Sequence, residues 1–181
     1  AQAIVDGGVS FFEVALNSEH GLKQIAILRD HFGEKCMIGA GTAISVDLAK
    51  AAIDAGAQFL LTPGTPIDVL QYCAKKDIML LPGVFTPGDV ATSLEFGYKT
   101  MKLFPAGCTP KGYLKALKGP YDEANYIAIG GVTIDNINDY FKEGYMGVGI
   151  ASNLIPPSVL KDENWGLGAS YVRKYVSRIK R

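Results

Sequence analysis

The chain has 181 residues, 48% of them hydrophobic, and its 18 basic residues balance 18 acidic ones. A chain of this length can bury a full core as one domain. Zero net charge, with no basic run before the C-terminal helix, argues against nucleic acid or an acidic membrane as a partner. No apolar run reaches a membrane-spanning length of about 18 residues, and no segment has the pattern of a signal peptide.

The cysteines and histidines indicate the compartment and argue against a metal site. Cys36, Cys73 and Cys108 are far apart and odd in number, which predicts reduced thiols in a cytoplasm and not a disulfide framework. His20 and His31 are the only histidines, and both lie in one predicted helix and its exit. We therefore expect no zinc or iron site built on imidazole, and the lack of clustered ligands argues against another metal.

Strands and helices alternate along the chain. Residues 1–6 predict the end of a helix stopped by Gly7 and Gly8, and because the chain does not begin with Met, we expect an N-terminal strand and the start of that helix to be missing from it. Short apolar runs then predict seven strands, at residues 10–16, 36–40, 58–61, 78–81, 99–105, 126–129 and 145–150.

The segments between the strands have helical periodicity and helix-capping residues. The first predicted helix spans 18–31, and the later ones begin at four hydroxyl caps, namely Ser45, Thr65, Thr86 and Thr133. The last predicted helix, at 165–179, has a charged face that we interpret as solvated, made of Arg173, Lys174, Arg178, Lys180 and Arg181.

A repeat of 20 residues organises the middle of the chain. Thr62, Pro82 and Lys102 are spaced by this period, each at the C-terminal end of a strand. Seven strands and the one expected before them make eight, which predicts an α/β TIM (β/α)8 barrel formed by residues 1–181 as a single domain. A doubly wound open sheet is the alternative. In a barrel these strand ends converge on the mouth where this fold places its chemistry.

Two charged residues interrupt otherwise apolar strands. Lys102 shares a strand face with Thr100 and Phe104, and Glu13 shares one with Phe11. Lysine is almost never fully buried without a partner or a task, although a lysine at a strand end can also extend to water. We expect both groups to be desolvated and so to titrate nearer neutral pH. An amine and an acid in one cavity suit Schiff-base chemistry.

Glycine-rich strand ends predict anion sites. Gly130 and Gly131 follow the penultimate predicted strand and Ser152 follows the last, at the two loops where barrel enzymes often bind phosphate. Alone, the glycine pair is equally consistent with a tight turn. Thr42, after Gly39-Ala40-Gly41, could hold a carboxylate or carbonyl near Lys102, or could belong to a tight loop.

Seven motifs in order resemble the 2-keto-3-deoxy-6-phosphogluconate (KDPG) and 4-hydroxy-2-oxoglutarate aldolases. They are FEVAL at 12–16, IGAGT at 38–42, LTPG at 61–64, LPG at 81–83, KLFP at 102–105, KALKGP at 115–120 and GGV at 130–132. The resemblance implies a cytoplasmic homotrimeric class I aldolase of sugar-acid catabolism, without a cofactor. It would bind a small phosphorylated keto acid and release pyruvate and glyceraldehyde 3-phosphate.

The resemblance also implies roles for individual residues. Lys102 matches the Schiff-base lysine and Glu13 the general acid/base, while Thr42 matches a contact to the pyruvate portion and Gly130, Gly131 and Ser152 match the phosphate loops. The substrate-binding set predicted on this basis is Thr42, Thr62, Pro82, Phe104, Ile129, Gly130, Gly131 and Ser152.

The sequence departs from the family pattern at the residues expected to contact the carboxylate and the C4 hydroxyl of the substrate. Asn17 stands where many members have arginine, and a first-strand arginine has no counterpart in this chain. The segment 16–18 and the apolar Ile129 resemble the branch acting on the galactonate epimer, which predicts a slight preference for that epimer or use of both. Two alternatives are a 4-hydroxy-2-oxoglutarate aldolase and a non-catalytic phosphosugar-binding barrel.

Overall fold

The computed structural model describes residues 1–179, and seven strand positions follow one another along the chain. Lys180 and Arg181, predicted on the solvated face of the last helix, lie outside the described residues. The strands are Phe11–Ala15 (β1), Met37–Gly41 (β2), Phe59–Leu61 (β3), Leu80–Leu81 (β4), Gly83–Val84 (β5), Thr100–Leu103 (β6), Asn125–Ile129 (β7) and Gly147–Gly149 (β8). Pro82 separates β4 from β5, so these two short strands together fill the fourth position.

Helices connect and flank these strands. They are Gln2–Asp6 (α1), Gly21–Phe32 (α2), Val46–Asp54 (α3), Ile67–Lys75 (α4), Pro87–Glu95 (α5), Tyr113–Lys118 (α6), Ile137–Glu143 (α7), Pro157–Lys161 (α8) and Trp165–Arg178 (α9). Single 3₁₀ turns lie at Gly33–Lys35 and Ala106–Cys108. Within residues 1–179, no helix combines the length and apolarity needed to cross a membrane.

All strand pairs are parallel, and the strands pair in the order of the sequence. One sheet runs β1-β2-β3-β4 and the other β5-β6-β7-β8. A doubly wound sheet reverses its strand order at a switch point. The unreversed order seen here is that of a barrel, so the predicted TIM barrel is confirmed and the open sheet is excluded.

The core lies between the strands and the helices. Alternate residues of each strand face the helices, and these form one apolar cluster in each half of the molecule, around Ile38 and Leu60 in the first and around Leu103 and Tyr126 in the second. The other strand face lines the barrel interior, which we call the lumen. Because side chains alternate along a strand, the lumen face carries Glu13 and Lys102.

The helix caps agree with the sequence at two of four positions. The Leu48 amide donates to Ser45 Oγ, and Thr86 forms a capping box with Asp89 at the start of α5. At Thr65 the prediction is wrong: α4 begins after Pro66, because the Thr65 hydroxyl donates to Asp89 instead of capping the helix. At Thr133 the cap lies one turn early: α7 begins after Asn136, whose amide donates to Thr133 Oγ1 over 3.4 Å and whose side chain accepts from the Thr133 amide.

Candidate active site

The strand register brings the two predicted catalytic residues to the lumen. Lys102 pairs with Gly83 on one side and with Ile127 on the other. Glu13 lies on β1 and pairs with Gly39. In the part of the chain that the structure describes, no salt bridge joins the two side chains, so the lysine amine and the carboxylate face the same interior without neutralising each other directly.

Lys102 is buried, with 6% of its surface exposed. Burial lowers the pKa of its amine below the ordinary value, and the negative charge of Glu13 acts in the opposite direction. Its Nζ lies 4.9 Å from the centroid of the Phe104 ring. A lowered pKa increases the fraction of neutral amine, which is the form that attacks a carbonyl.

Glu13 is exposed, so the prediction that it is desolvated is wrong. Within this chain β1 has a paired neighbour on one side only, and Phe11 and Ala15 on the same face are exposed as well. The carboxylate nevertheless has a defined place against β2. A Cβ built on Gly41 would lie 1.5 Å from Glu13 Oε1 and 2.4 Å from its Cδ. The carboxylate therefore occupies the space that a side chain at position 41 would need.

Thr42 has a left-handed backbone at the end of β2. Its φ is 61°, and the Ile44 amide donates to its carbonyl oxygen over 2.9 Å. This conformation is costly for a β-branched residue, and such strain tends to be found at functional sites.

Thr62 is fully buried, and its hydroxyl is occupied by the backbone. It donates to the Gly64 carbonyl over 2.6 Å and accepts from the Gly83 amide over 3.0 Å. A Cβ on Gly83 would lie 2.4 Å from the Thr62 carbonyl oxygen, so the two strand ends approach too closely for any other residue there. Pro82 is also buried, and its carbonyl accepts from the Lys102 amide. Thr62 and Pro82 thus fix the strands on which the lumen depends.

Gly130 and Gly131 form a turn against the loop that follows Lys102. Both have a φ of 87°, which favours glycine. The Gly107 amide donates to the Gly130 carbonyl over 2.8 Å, and a Cβ on Gly131 would lie 2.8 Å from the Gly107 Cα. A Cβ on Gly130 would meet the Phe104 ring at 3.2 Å. Close packing thus accounts for both glycines, and it also leaves bare backbone near the lumen.

The side-chain amides of Asn136 and Asn153 fix the backbone that follows the Gly130-Gly131 turn. Asn136 donates to the Gly131 carbonyl over 2.9 Å, and Asn153 donates to the Val132 carbonyl over 3.5 Å. The Asn153 carbonyl accepts from the buried Tyr175 hydroxyl over 2.8 Å, which ties the loop after β8 to α9. Ser152 in that loop is exposed.

Ile129 is the last residue of β7 and faces the lumen opposite Gly149. It lies two residues beyond Ile127, the partner of Lys102, and directly before the Gly130-Gly131 turn. The residue is half-buried and presents only carbon to the interior. Ile127 and Ile129 therefore form the wall of the lumen between Lys102 and the Gly130-Gly131 turn.

Asp89 braces two loops at the mouth, and the sequence analysis did not single it out. Its carboxylate accepts from the Phe85 amide, the Thr86 amide and hydroxyl, and the Thr65 hydroxyl across the mouth. Burial raises the pKa of Asp89, but the hydrogen bonds from Thr86, Phe85 and Thr65 outweigh it and hold the pKa below the usual range. The T-x-x-D spacing after a strand was the available signal.

The family profile described as "Aldolase: KDPG and KHG aldolase" matches residues 1–167. The chain belongs to the KDPG and KHG aldolase family. A relative in Escherichia coli (strain K12), 2-dehydro-3-deoxy-6-phosphogalactonate aldolase, is 31% identical over 175 residues, covering 96% of this chain and 85% of its own. The 2-dehydro-3-deoxy-phosphogluconate aldolase of Pseudomonas aeruginosa is 33% identical over 167 residues, covering 91% of this chain and 75% of its own.

A solved structure of this aldolase family has the same fold. The KDPG aldolase of Legionella pneumophila, with pyruvate captured at low pH as a covalent carbinolamine intermediate, matches with a TM-score of 0.88 and 29% identity. The match covers 95% of this chain and 84% of that one. The chain thus has the TIM-barrel fold of this family, which is a family of class I aldolases, that is, of lyases.

Proposed function

We propose that this protein is a class I aldolase that cleaves 2-keto-3-deoxy-6-phosphogluconate, or its galactonate epimer, to pyruvate and glyceraldehyde 3-phosphate. The observation that carries the proposal is the buried side chain of Lys102. It lies on the strand face that lines the lumen, and burial lowers the pKa of its amine. A buried amine with no ion-pair partner in residues 1–179 is costly unless it has a chemical task.

In the proposed mechanism, neutral Lys102 Nζ adds to the C2 carbonyl of the substrate and forms a carbinolamine. Glu13 transfers the protons with which water leaves, and the product is an iminium. Glu13, directly or through a water, then takes the C4 hydroxyl proton as the C3–C4 bond breaks. The bonding electrons enter the iminium, so an enamine remains and glyceraldehyde 3-phosphate departs. Protonation at C3 and hydrolysis release pyruvate and restore the lysine.

The place of Glu13 supports this role. Its charge raises the pKa of Lys102, so the carboxylate lies within electrostatic reach of the amine. The carboxylate lies over Gly41, whose missing side chain leaves room for it beside the lumen. A positioned acid/base contributes about 10²–10⁴-fold to a rate.

We assign the substrate contacts along the wall of the lumen. Thr42 is proposed to contact the pyruvate portion, and its strained backbone supports a role beyond packing. The amides of Gly130 and Gly131, with Ser152, are proposed to bind the 6-phosphate. Thr62, whose hydroxyl is already bonded at both ends, is proposed to position the wall, as is the buried Pro82. Phe104 covers the amine.

The substrate's configuration at C4 is proposed to be weakly selected, with a slight preference for the galactonate epimer. Ile129 offers no hydrogen-bond partner to a C4 hydroxyl, and sites built to pair a hydroxyl discriminate far more strongly than apolar ones. The 31% identical relative acts on the phosphogalactonate substrate, and the 33% identical relative acts on the phosphogluconate.

A second candidate substrate is 4-hydroxy-2-oxoglutarate, which the family description includes as KHG. It would use the same lysine and leave the glycine loops without a phosphate. Comparing kcat/KM for this substrate and for the two phosphorylated epimers decides between them. A rate that does not depend on the phosphate favours the second candidate.

Borohydride trapping with pyruvate tests the proposal. The reagent reduces an imine to a stable amine, so peptide mass mapping should find the adduct on the Lys102 peptide. Lys102→Arg keeps the charge but removes the nucleophile, and we expect it to abolish both adduct and cleavage. Lys99→Arg is the matched control, because Lys99 is exposed and paired with Glu123. A Lys102→Arg protein that still cleaves the substrate contradicts the mechanism.

We further propose one barrel domain over residues 1–181, a homotrimer and a cytoplasmic location. The parallel order of strands through both sheets supports the single domain. The three free cysteines, two of them buried, are consistent with a reducing compartment. Sedimentation analysis measures the assembly directly.

A further inference from the structure

The wall between Lys102 and the proposed phosphate loops contains a matched pair of residues on neighbouring strands. Ile129 ends β7 and Gly149 ends β8, and they face each other in the parallel register. One layer deeper, Ile127 and Gly147 face each other in the same way. The two layers have the same residue types, so they can be compared directly.

The two layers differ in how closely the isoleucine approaches the glycine. A Cβ on Gly149 would lie 2.8 Å from Ile129 Cγ1 and 3.0 Å from its Cδ1, which is closer than real side chains come. A Cβ on Gly147 would lie 3.7 Å from Ile127, which is ordinary contact. Neither glycine adopts a positive φ, so alanine is allowed by the backbone at both positions. The conflict at position 149 is therefore with Ile129 alone.

An isoleucine side chain cannot yield easily at this position. Its β-branched χ1 is stiff, and the atom in closest contact is attached directly to Cβ. Since both residues face the lumen, a new Cβ at position 149 drives the Ile129 side chain into the lumen or toward Phe104, which packs on the adjacent Gly130. Either movement narrows the space between the Lys102 layer and the glycine loops.

We propose that Gly149 is a specificity-determining residue: by lacking a side chain it lets Ile129 lie against β8 and keeps the lumen open to the carbons beyond C3. The inference rests on the proposed function, in which C4 to C6 of the substrate cross this layer. Pyruvate has three carbons and reaches only the Lys102 layer. Gly149 therefore governs the long substrate and not the formation of the imine with pyruvate.

The test compares Gly149→Ala with Gly147→Ala. We expect Gly149→Ala to lower kcat/KM for the phosphorylated substrates by about 10- to 200-fold, the range for one misplaced carbon in an apolar pocket. Trapping of pyruvate on Lys102 should stay close to the wild-type rate. Gly147→Ala, whose Cβ would make only ordinary contact with Ile127, should lower kcat/KM much less than Gly149→Ala. An unchanged kcat/KM in Gly149→Ala, or an equal loss in Gly147→Ala, overturns the inference.

A double variant shows whether Ile129 is the cause. Ile129→Ala removes all γ and δ carbons, so Gly149→Ala should do no further harm in that background, and the two substitutions should be strongly non-additive. Should Gly149→Ala fail to fold, this double variant decides the matter. A folded double variant with the kcat/KM of Ile129→Ala supports the inference. A double variant that is unfolded, or whose kcat/KM is no higher than that of Gly149→Ala, overturns it.

The failure of the proposed function has a different signature. If the wild-type protein cleaves neither phosphorylated epimer, the proposed function is wrong whatever the variants do. If the wild type cleaves them and Gly149→Ala does so equally well, only the role of Gly149 is refuted.

Discussion

Gly41→Ala should move Glu13, the proposed acid/base, from its place without changing its chemistry. A Cβ at position 41 would lie 1.5 Å from Glu13 Oε1. Ordinary non-bonded contact is about 3.5 Å, so the carboxylate has to move by about 2 Å. Misplacement of a reacting group by about 1 Å can cost about 10²-fold in rate. We therefore expect kcat to fall by at least about 100-fold.

The same substitution should leave the fold intact. Gly41 does not adopt a positive φ, so alanine fits the backbone. Glu13 is exposed and can swing toward water, which relieves the clash without disturbing the core. Gly41 itself is buried, so we expect the free energy of unfolding to fall by about 1–3 kcal/mol, the usual cost of adding a carbon to a packed site, with the protein still folded. Gly88→Ala is the control for the residue change itself, because a Cβ there meets only Thr86 Oγ1, at 3.7 Å.

Steady-state cleavage, pyruvate trapping and chemical denaturation together form the assay. Glu13→Gln measures how far kcat falls when the carboxylate is absent, and the fall in Gly41→Ala should approach that value. Because the Glu13 charge raises the pKa of Lys102, Glu13→Gln should also shift the rising limb of the trapping rate to lower pH. A Gly41→Ala enzyme with near-normal kcat, beside a severely impaired Glu13→Gln enzyme, refutes the placement of the carboxylate.

Two further predictions concern stability. Asp89→Ala removes the carboxylate that joins Thr65 to α5, and should cost about 1–2 kcal/mol at neutral pH. Because the pKa of Asp89 is lowered in the folded state, the stability difference between wild type and variant should be complete above the unfolded pKa of about 3.9 and should shrink as pH falls through the folded pKa. Urea unfolding at several pH values measures this difference, and a difference that does not change with pH contradicts the prediction. Tyr126 buries a hydroxyl that has no partner among residues 1–179, so Tyr126→Phe should be neutral or stabilise the protein by about 1 kcal/mol. Tyr98→Phe loses the hydrogen bond from the Tyr98 hydroxyl to the Leu70 carbonyl and should cost about 1 kcal/mol. Thermal unfolding of the two variants decides this, and an equal loss in both would be the contrary result.

Much of the fold could be predicted from the sequence because it depends on local patterns. Short apolar runs and capping residues gave the alternation of strands and helices, and the spacing of strand ends gave the barrel. The cap at Thr65 was mispredicted for a tertiary reason, because its hydroxyl donates to Asp89 on the next helix. Thr133 instead exchanges local hydrogen bonds with Asn136, so α7 begins only after Asn136. Capping propensity cannot anticipate a competing partner from another part of the chain.

By itself, the sequence determined which residue types lie on which strand face, and so which residues could meet in the lumen. Lys102 and Glu13 stood out because a charge in an apolar strand is costly wherever the strand lies. Only the tertiary structure decided their environments. Burial of Lys102 depends on the strands on both sides of β6, whereas Glu13 lies on β1, which within this chain pairs with β2 alone. The space left by Gly41 and by Gly149 likewise depends on a residue of the neighbouring strand, and such contacts between strands have no signature in local sequence.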